Sequence, residues 1–158
     1  MLARLRQGGL DVRLVRVGRA LEGAEGALAE KLDLRDAIVE LGAVADGDVP
    51  ALYNAVDLLL FPSHYEGFGW PPLEAMASGT PVVCSRAGSL DEVVGDAALT
   101  ADPEDVDTLT WHAAAALTDP GVRGALIERG LARAREFSWD RAAEQMIGVY
   151  RAVIAKAS

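Results

Sequence analysis

Glu66 and Glu74 are the side chains of this sequence best placed to do chemistry, because they bracket a glycine turn that opens a helix. The segment from Pro62 to Val83 reads PSHYEGFGWPPLEAMASGTPVV. Gly67 and Gly69 allow positive φ and close approach of the backbone to a ligand. Pro71 and Pro72 suit the first turn of a helix whose unpaired N–H groups attract anions. The turn therefore reads as a phosphate site. Carboxylates beside a phosphate would repel it, so they must serve other groups, and pairs of sugar hydroxyls donate well to a carboxylate. Seven residues separate the two glutamates, one before the turn and one within the first helical turn. A ligand with an anionic middle and hydroxyls at both ends fits that layout, as the ribose, diphosphate and hexose of a nucleotide-sugar do. A rival reading makes both carboxylates helix-start charges that satisfy the dipole. It accounts in part for Glu74 and leaves Glu66 and the glycines without cause.

The elements that must hold this turn show as alternating strands and helices. Short β-branched and apolar runs over Val12–Gly18 and Ala37–Leu41 are expected to form buried parallel strands, with a helix over Ala24–Leu34 between them. Asp48 is expected to cap the helix that carries Pro50 and Tyr53, and Val56–Phe61 to form a strand that Pro62 stops. The motif helix runs from Pro71 to Ala77, closed by Gly79. Pro81–Ser85 is the next strand, a helix surrounds Asp91, and Ala97–Thr100 is a final short strand. Beyond Pro103 the chain reads as helical over Asp105–Thr118, Pro120–Glu136 and Asp140–Ala157, with Ser138 or Asp140 as the last cap. The fold class expected is α/β, a parallel sheet with helices on both faces. Ligands of such sheets bind at the carboxyl ends of strands, where the EGFG turn falls.

Composition narrows the partners. At 158 residues and 51% hydrophobic content, residues 1–158 make one domain with a single substantial core. A formal charge of −9 argues against nucleic acid and against an anionic membrane surface, both of which need clustered Lys and Arg. Cys84 is the one cysteine, so an internal disulfide is excluded and a reducing compartment fits; a buried strand-end position is expected for it. No apolar run approaches the roughly 18 residues of a membrane span, and no secretory signal is recognisable, so a cytoplasmic location is expected. Asp46-Gly47-Asp48 reads as a turn and cap and not as a metal site. His64 is a polar loop residue or a hydrogen-bond partner for a sugar, and His112 is structural.

The extended motif resembles that of the retaining nucleotide-sugar glycosyltransferases of two-Rossmann-domain (GT-B) architecture, the group 1, family 4-like set that includes sucrose synthases and bacterial glycogen synthases. Its carriers are Glu66-Gly67-Phe68-Gly69-Trp70-Pro71, Leu73-Glu74-Ala75-Met76-Ala77, Gly79 and Pro81-Val82-Val83, with Trp70 in place of the usual Leu. Ala87 to Val94 resembles the family's glycine-rich loop and following helix, with Ser89 where a second glycine is usual, and Val49 to Asp57 resembles the lead into the site. The similarity runs from about Val12 to Tyr150.

The resemblance implies the C-terminal, donor-binding, Rossmann-like half of a GT-B enzyme, N-terminally truncated. It implies a nucleoside-diphosphate sugar as substrate, retaining transfer of the sugar to a hydroxyl, no cofactor and no obligatory metal. By it, Glu66 binds donor-sugar hydroxyls as the catalytic-site carboxylate. The amides of Gly67, Phe68, Gly69 and Trp70 face sugar and phosphate, and Glu74 holds the ribose. The family's domain begins one strand earlier, with a Gly-Arg turn and a lysine for the diphosphate. Val17-Gly18-Arg19 fits the second strand instead, and no lysine follows Arg19 before Lys31. Two charge-assisted contacts of roughly 1.5–3 kcal/mol each would then be lacking, about 10²-fold or more in affinity. The chain is expected to be inactive alone, completed by an acceptor-binding domain. The alternative is a non-catalytic module that holds a nucleotide-sugar or pairs with a separate acceptor-domain chain. A sugar epimerase of related architecture is a third class.

Overall fold

The structure, a computed structural model, describes residues 1–157. Five short strands alternate with helices: α1 (Leu2–Gln7), β1 (Leu14–Arg16), α2 (Gly23–Lys31), β2 (Ile38–Glu40), α3 (Val49–Asn54), β3 (Leu59–Phe61), α4 (Trp70–Ala77), β4 (Val82–Ser85), α5 (Leu90–Val94), β5 (Leu99–Ala101). Three helices complete it: α6 (Val106–Thr118), α7 (Pro120–Ala134) and α8 (Trp139–Ala157). Every strand pairing is parallel, as the α/β reading expected. The strands are shorter than their apolar runs, because Val12, Val17, Val56 and Leu58 lie outside the hydrogen-bonded ladders. The sheet is also divided: β1 pairs with β2, and β3-β4-β5 form a separate ladder.

The core forms around β4, whose four residues have no solvent exposure. Strand alternation sends Val82 and Cys84 to one face, against Ala75 and Met76 of α4 and Val94 of α5. Val83 goes to the other, against Leu109 and Ala116 of α6 and Leu126 of α7. α7 serves both faces, because Gly130 leaves room for Met76: a Cβ there would lie 3.2 Å from the methionine Cγ. Seating α4 against β4 in this way holds the glycine turn at the carboxyl end of β3.

Caps explain the helix starts, with one correction. Asp105 accepts from the Thr108 N–H at 3.0 Å, Asp119 from Gly121 at 2.8 Å, and Ser138 Oγ from Arg141 at 3.2 Å, which settles the last cap on Ser138. Asp48 makes no side-chain cap bond. It already sits in a 3₁₀ turn over Asp46–Asp48 with φ −95° and ψ −12°, so its carboxylate is turned away from N-cap geometry. α8 is amphipathic and leaves Met146, Tyr150, Val153 and Ile154 more than half exposed. Among the described residues, no helix is long and apolar enough to cross a membrane.

Candidate donor-binding site

The turn between β3 and α4 is built by one glycine and not two. Gly69 takes φ +103°, and a Cβ there would stand 2.6 Å from Leu90 Cδ2, so neither the conformation nor the space admits a side chain. Gly67 does not adopt positive φ, contrary to expectation; it faces open space, with nothing within 4 Å of a built Cβ. Because Gly69 swings the chain through the left-handed region, α4 begins at Trp70, one residue earlier than expected. Glu74 is therefore in the second helical turn, and no acidic residue occupies the first. The dipole reading of Glu74 loses its footing, since that effect fades beyond the first turn.

Pro71 and Pro72 have no N–H to offer, and the Leu73 N–H lies 3.4 Å from the Gly69 carbonyl. The donors left at this helix start are the amides of Gly67, Phe68, Gly69 and Trp70, none of which has a protein acceptor among the described residues. Four unpaired donors in a row next to a helix N-terminus suit an anion.

Each glutamate is held by a hydroxyl that sequence reasoning missed. Ser63 Oγ lies 3.2 Å from Glu66 Oε1 and 3.0 Å from the Tyr65 carbonyl, so its one proton bridges the two acceptors. Buried Ser85, at the end of β4, donates to the Ser63 carbonyl and ties this loop to the core. The Tyr53 hydroxyl donates to Glu74 Oε2 at 3.2 Å. Burial, then the Glu74 charge and this hydrogen bond, push the phenol's pKa well above its ordinary value.

The segment after β4 closes on the turn from behind. Ser89 Oγ donates to the Phe68 and Glu66 carbonyls, at 2.9 and 3.2 Å, and its N–H donates to the Glu66 carbonyl at 3.3 Å. Gly88, at φ +58°, lies so close that a Cβ would overlap the Glu66 carbonyl. Ser89 thus fixes the turn by hydrogen bonds, while Gly88 alone meets the need for close approach.

Phe68 and Trp70 pack with tilted rings at 4.7 Å, Phe68 meets Phe137 edge-on at 6.0 Å, and Trp70 packs on Trp139 at 5.8 Å. A groove of about 550 Å³ opens beside Gly67 and Phe68, walled by Arg133, Phe137 and Arg141. Arg133 is committed within the fold: it donates to the Glu92 and Val93 carbonyls at the end of α5, pairs with Glu136, and lies over the Phe137 ring. Nothing in the motif spacing signals these partners.

The remaining candidates sit apart from the turn or are spoken for. His64 Nδ1 lies 3.4 Å from Glu104 Oε1 on the surface. His112 has a buried Nδ1 without a partner, and burial followed by the Arg86 charge lowers its pKa. Arg19 is exposed after Gly18, whose N–H donates to the Gly42 carbonyl and ties the end of β1 to the end of β2. Cys84 is fully buried; that burial, with the Asp91 charge, pushes its thiol up to about 12. Among the described residues, no group of three or more His, Cys, Asp or Glu could hold a metal ion.

Comparison with known proteins shows the family and the fold. The sequence profile of the family "Glycosyl transferases group 1" matches residues 1–133. The O-antigen chain mannosyltransferase B of Escherichia coli is 51% identical over 111 residues, which cover 70% of this chain and 29% of that protein. The sucrose-phosphate synthase of Thermosynechococcus elongatus superposes with a TM-score of 0.82 at 28% identity, covering 99% of this chain and 42% of the other. Anabaena HepE, solved in complex with UDP and glucose, gives 0.76 at 26% identity over 89% of this chain and 41% of its own. The chain thus spans less than half the length of each of these relatives. With the EGFG turn, its two flanking glutamates and this fold, the chain belongs to the group 1 glycosyltransferases, as a C-terminal domain of GT-B architecture.

Proposed function

We propose that this domain binds a nucleoside-diphosphate sugar and presents it for transfer with retained configuration to a hydroxyl acceptor held by a separate domain. The observation that carries the reading is the run of four unpaired amides from Gly67 to Trp70, set between two carboxylates each oriented by a hydroxyl. The diphosphate sits on the amides, Glu66 accepts from the sugar hydroxyls, and Glu74 accepts from the ribose. Its likeness to a named mannosyltransferase, and to a structure that contains UDP and glucose, supports the same ligand class.

In this mechanism the protein supplies positioning and electrostatics. Amide dipoles offset the charge that grows on the leaving diphosphate, and Glu66 fixes the sugar's face toward the acceptor. No metal or cofactor takes part in the proposed step. Retained configuration is part of the proposal, with its route left between front-face attack and other paths. One domain gives half a cleft, so water is not excluded and turnover awaits the acceptor half. A location in the cytoplasm, where nucleotide-sugars are made, belongs to the same proposal.

Isothermal titration of the 158-residue chain with UDP and GDP tests the binding. Saturable heat with one of them in the millimolar range or below is expected, and its absence for both at millimolar ligand sinks the donor reading. Turnover of a nucleotide-sugar by the chain alone would overturn the half-enzyme view. Binding without transfer, even with the acceptor half present, would make the domain a non-catalytic module.

A further inference from the structure

Gly67 is a glycine that the backbone does not require. Its φ is ordinary, and a Cβ built there meets nothing within 4 Å. Its bareness instead keeps open the groove of about 550 Å³ that it borders together with Phe68. That volume falls in the roughly 300–1,000 Å³ range of small-ligand sites. The glycine turn lends the groove only one edge, since the rest of the wall comes from α5, α7, the link after α7 and the start of α8.

The lining is amphiphilic. Phe68 and Phe137, edge-on to each other at 6.0 Å, supply aromatic surface. Around them stand hydrogen-bonding groups that the fold leaves unused. Among the described residues the Glu92 carboxylate and the Gln145 amide have no partner, and the Arg141 guanidinium reaches only the Glu136 carbonyl, at 3.4 Å. All three side chains are on exposed residues and free to turn to a ligand.

The charges of the lining balance, Glu92 and Glu136 against Arg133 and Arg141, and Arg133 is already paired with Glu136. A phosphate or carboxylate would find no surplus of cations here. A purely apolar ligand would strip water from charged groups and offer nothing in return. A neutral pyranose suits both parts of the lining. Its C–H face is apolar and lies well against an aromatic ring, while its rim of hydroxyls donates to a carboxylate and accepts from a guanidinium or an amide.

We infer that the groove is one wall of the acceptor subsite and takes a neutral saccharide, its ring against Phe68 and Phe137 and its hydroxyls on Glu92, Arg141 and Gln145. Because Gly67 directly follows Glu66, a saccharide seated there lies beside the sugar end of the donor, and the separate domain supplies the opposite wall. The role of acceptor rests on the donor reading of the turn, whereas the saccharide seat rests on the groove alone.

Gln7 and Gln145 are the two glutamines of the chain and provide an internal control, since Gln7 lies in α1, outside the groove. The side-chain amide signals of the isotope-labelled 158-residue chain are followed by NMR during titration with methyl α-glucoside, methyl α-mannoside and maltose, with and without UDP. Each saccharide is taken to about 100 mM, so that millimolar affinities are reached. The expected result is a saturable shift of the Gln145 amide by at least one of them, with Gln7 unmoved and with UDP present as well as absent. Glu92→Gln should weaken that saccharide about fivefold or more. Should this variant fail to fold, Arg141→Ala gives the same comparison through the same signal. The inference is overturned by the absence of a saturable shift with all three saccharides, by equal movement of Gln7, or by unchanged affinity in the variant. It is overturned as well if UDP-glucose moves the Gln145 amide and displaces the saccharide, which would give the groove to the donor's own sugar. Saccharide binding by a chain that does not bind UDP sinks the donor reading and the acceptor role with it, and leaves the saccharide seat standing.

Discussion

Tyr53 donates its phenolic hydrogen to Oε2 of Glu74 across 3.2 Å and so ties α3 to the helix that the glycine turn opens. The bond aims the carboxylate without neutralising it, and its loss should be felt by a ligand more than by the fold. Tyr53→Phe is expected to weaken UDP binding about fivefold, the equivalent of about 1 kcal/mol for one hydrogen bond, while unfolding free energy changes by less than that. The raised pKa of this phenol also gives a signed pH effect. The unfolded chain releases the proton near pH 10 and the native one only at higher pH, so this contribution is complete below about pH 10 and is lost as pH rises beyond it. Urea titrations of both proteins from pH 9 to 11 check this: the fall should be steeper with Tyr53 than with Phe.

Gly88 and Gly67 should respond oppositely to the same substitution. A methyl group at Gly88 would overlap the Glu66 carbonyl in a backbone already at φ +58°, and the carbonyl cannot yield because the Ser89 N–H is bonded to it. Gly88→Ala is expected to cost about 2–4 kcal/mol. Gly67 has ordinary φ and open space, so Gly67→Ala should leave stability within about 0.5 kcal/mol while lowering UDP affinity through the methyl group placed beside the free amides. Denaturation midpoints together with titration calorimetry separate the two effects. Equal destabilisation by both would contradict the turn described above.

Cys84 should be silent in the native chain. It has no exposure, and its thiol is pushed up to about 12, so almost none is thiolate near neutrality. Alkylation by iodoacetamide at pH 8 is expected to proceed only through unfolding, and urea should accelerate it to the rate of a free thiol. Modification of folded protein at that free rate would show that the β4 core opens. The linkage has the same sign as for Tyr53: the unfolded thiol titrates near 8.5, so its contribution is complete below that pH and declines between it and about 12.

What could be read from the residues was the part of the site that is local in sequence. Strand, turn and helix around Gly69 follow one another directly, and glycine, proline and carboxylate types announce each step. The partners of that turn are set by tertiary packing. Ser63 reaches Glu66 only because Ser85 holds its carbonyl, and Trp70 meets Trp139 only because α7 and α8 return past α4. A serine, tyrosine or tryptophan at those positions carries no local mark of such a role. The division of the sheet was equally hidden, since an apolar run such as Val12–Gly18 announces a buried parallel strand without naming its neighbour.

The two glutamates can be assigned to opposite ends of the donor by comparing ligands with and without the sugar. Gln keeps the shape of Glu and removes the charge, so each substitution asks which hydroxyls depended on a carboxylate. Glu66→Gln should weaken UDP-glucose, or the matching GDP-sugar, by about tenfold while leaving the bare diphosphate unchanged, a loss of about 1.4 kcal/mol confined to the sugar. Glu74→Gln should weaken both ligands by the same factor, because the ribose is common to them. The contrast is protected from a trivial cause: Glu66 is half-buried and Glu74 exposed, each is bound by a neutral hydroxyl, and neither makes a salt bridge among the described residues, so neither change strands a charge. If Glu66→Gln weakens UDP as much as UDP-glucose, the carboxylate serves the diphosphate or the turn itself, and the assignment of ends fails.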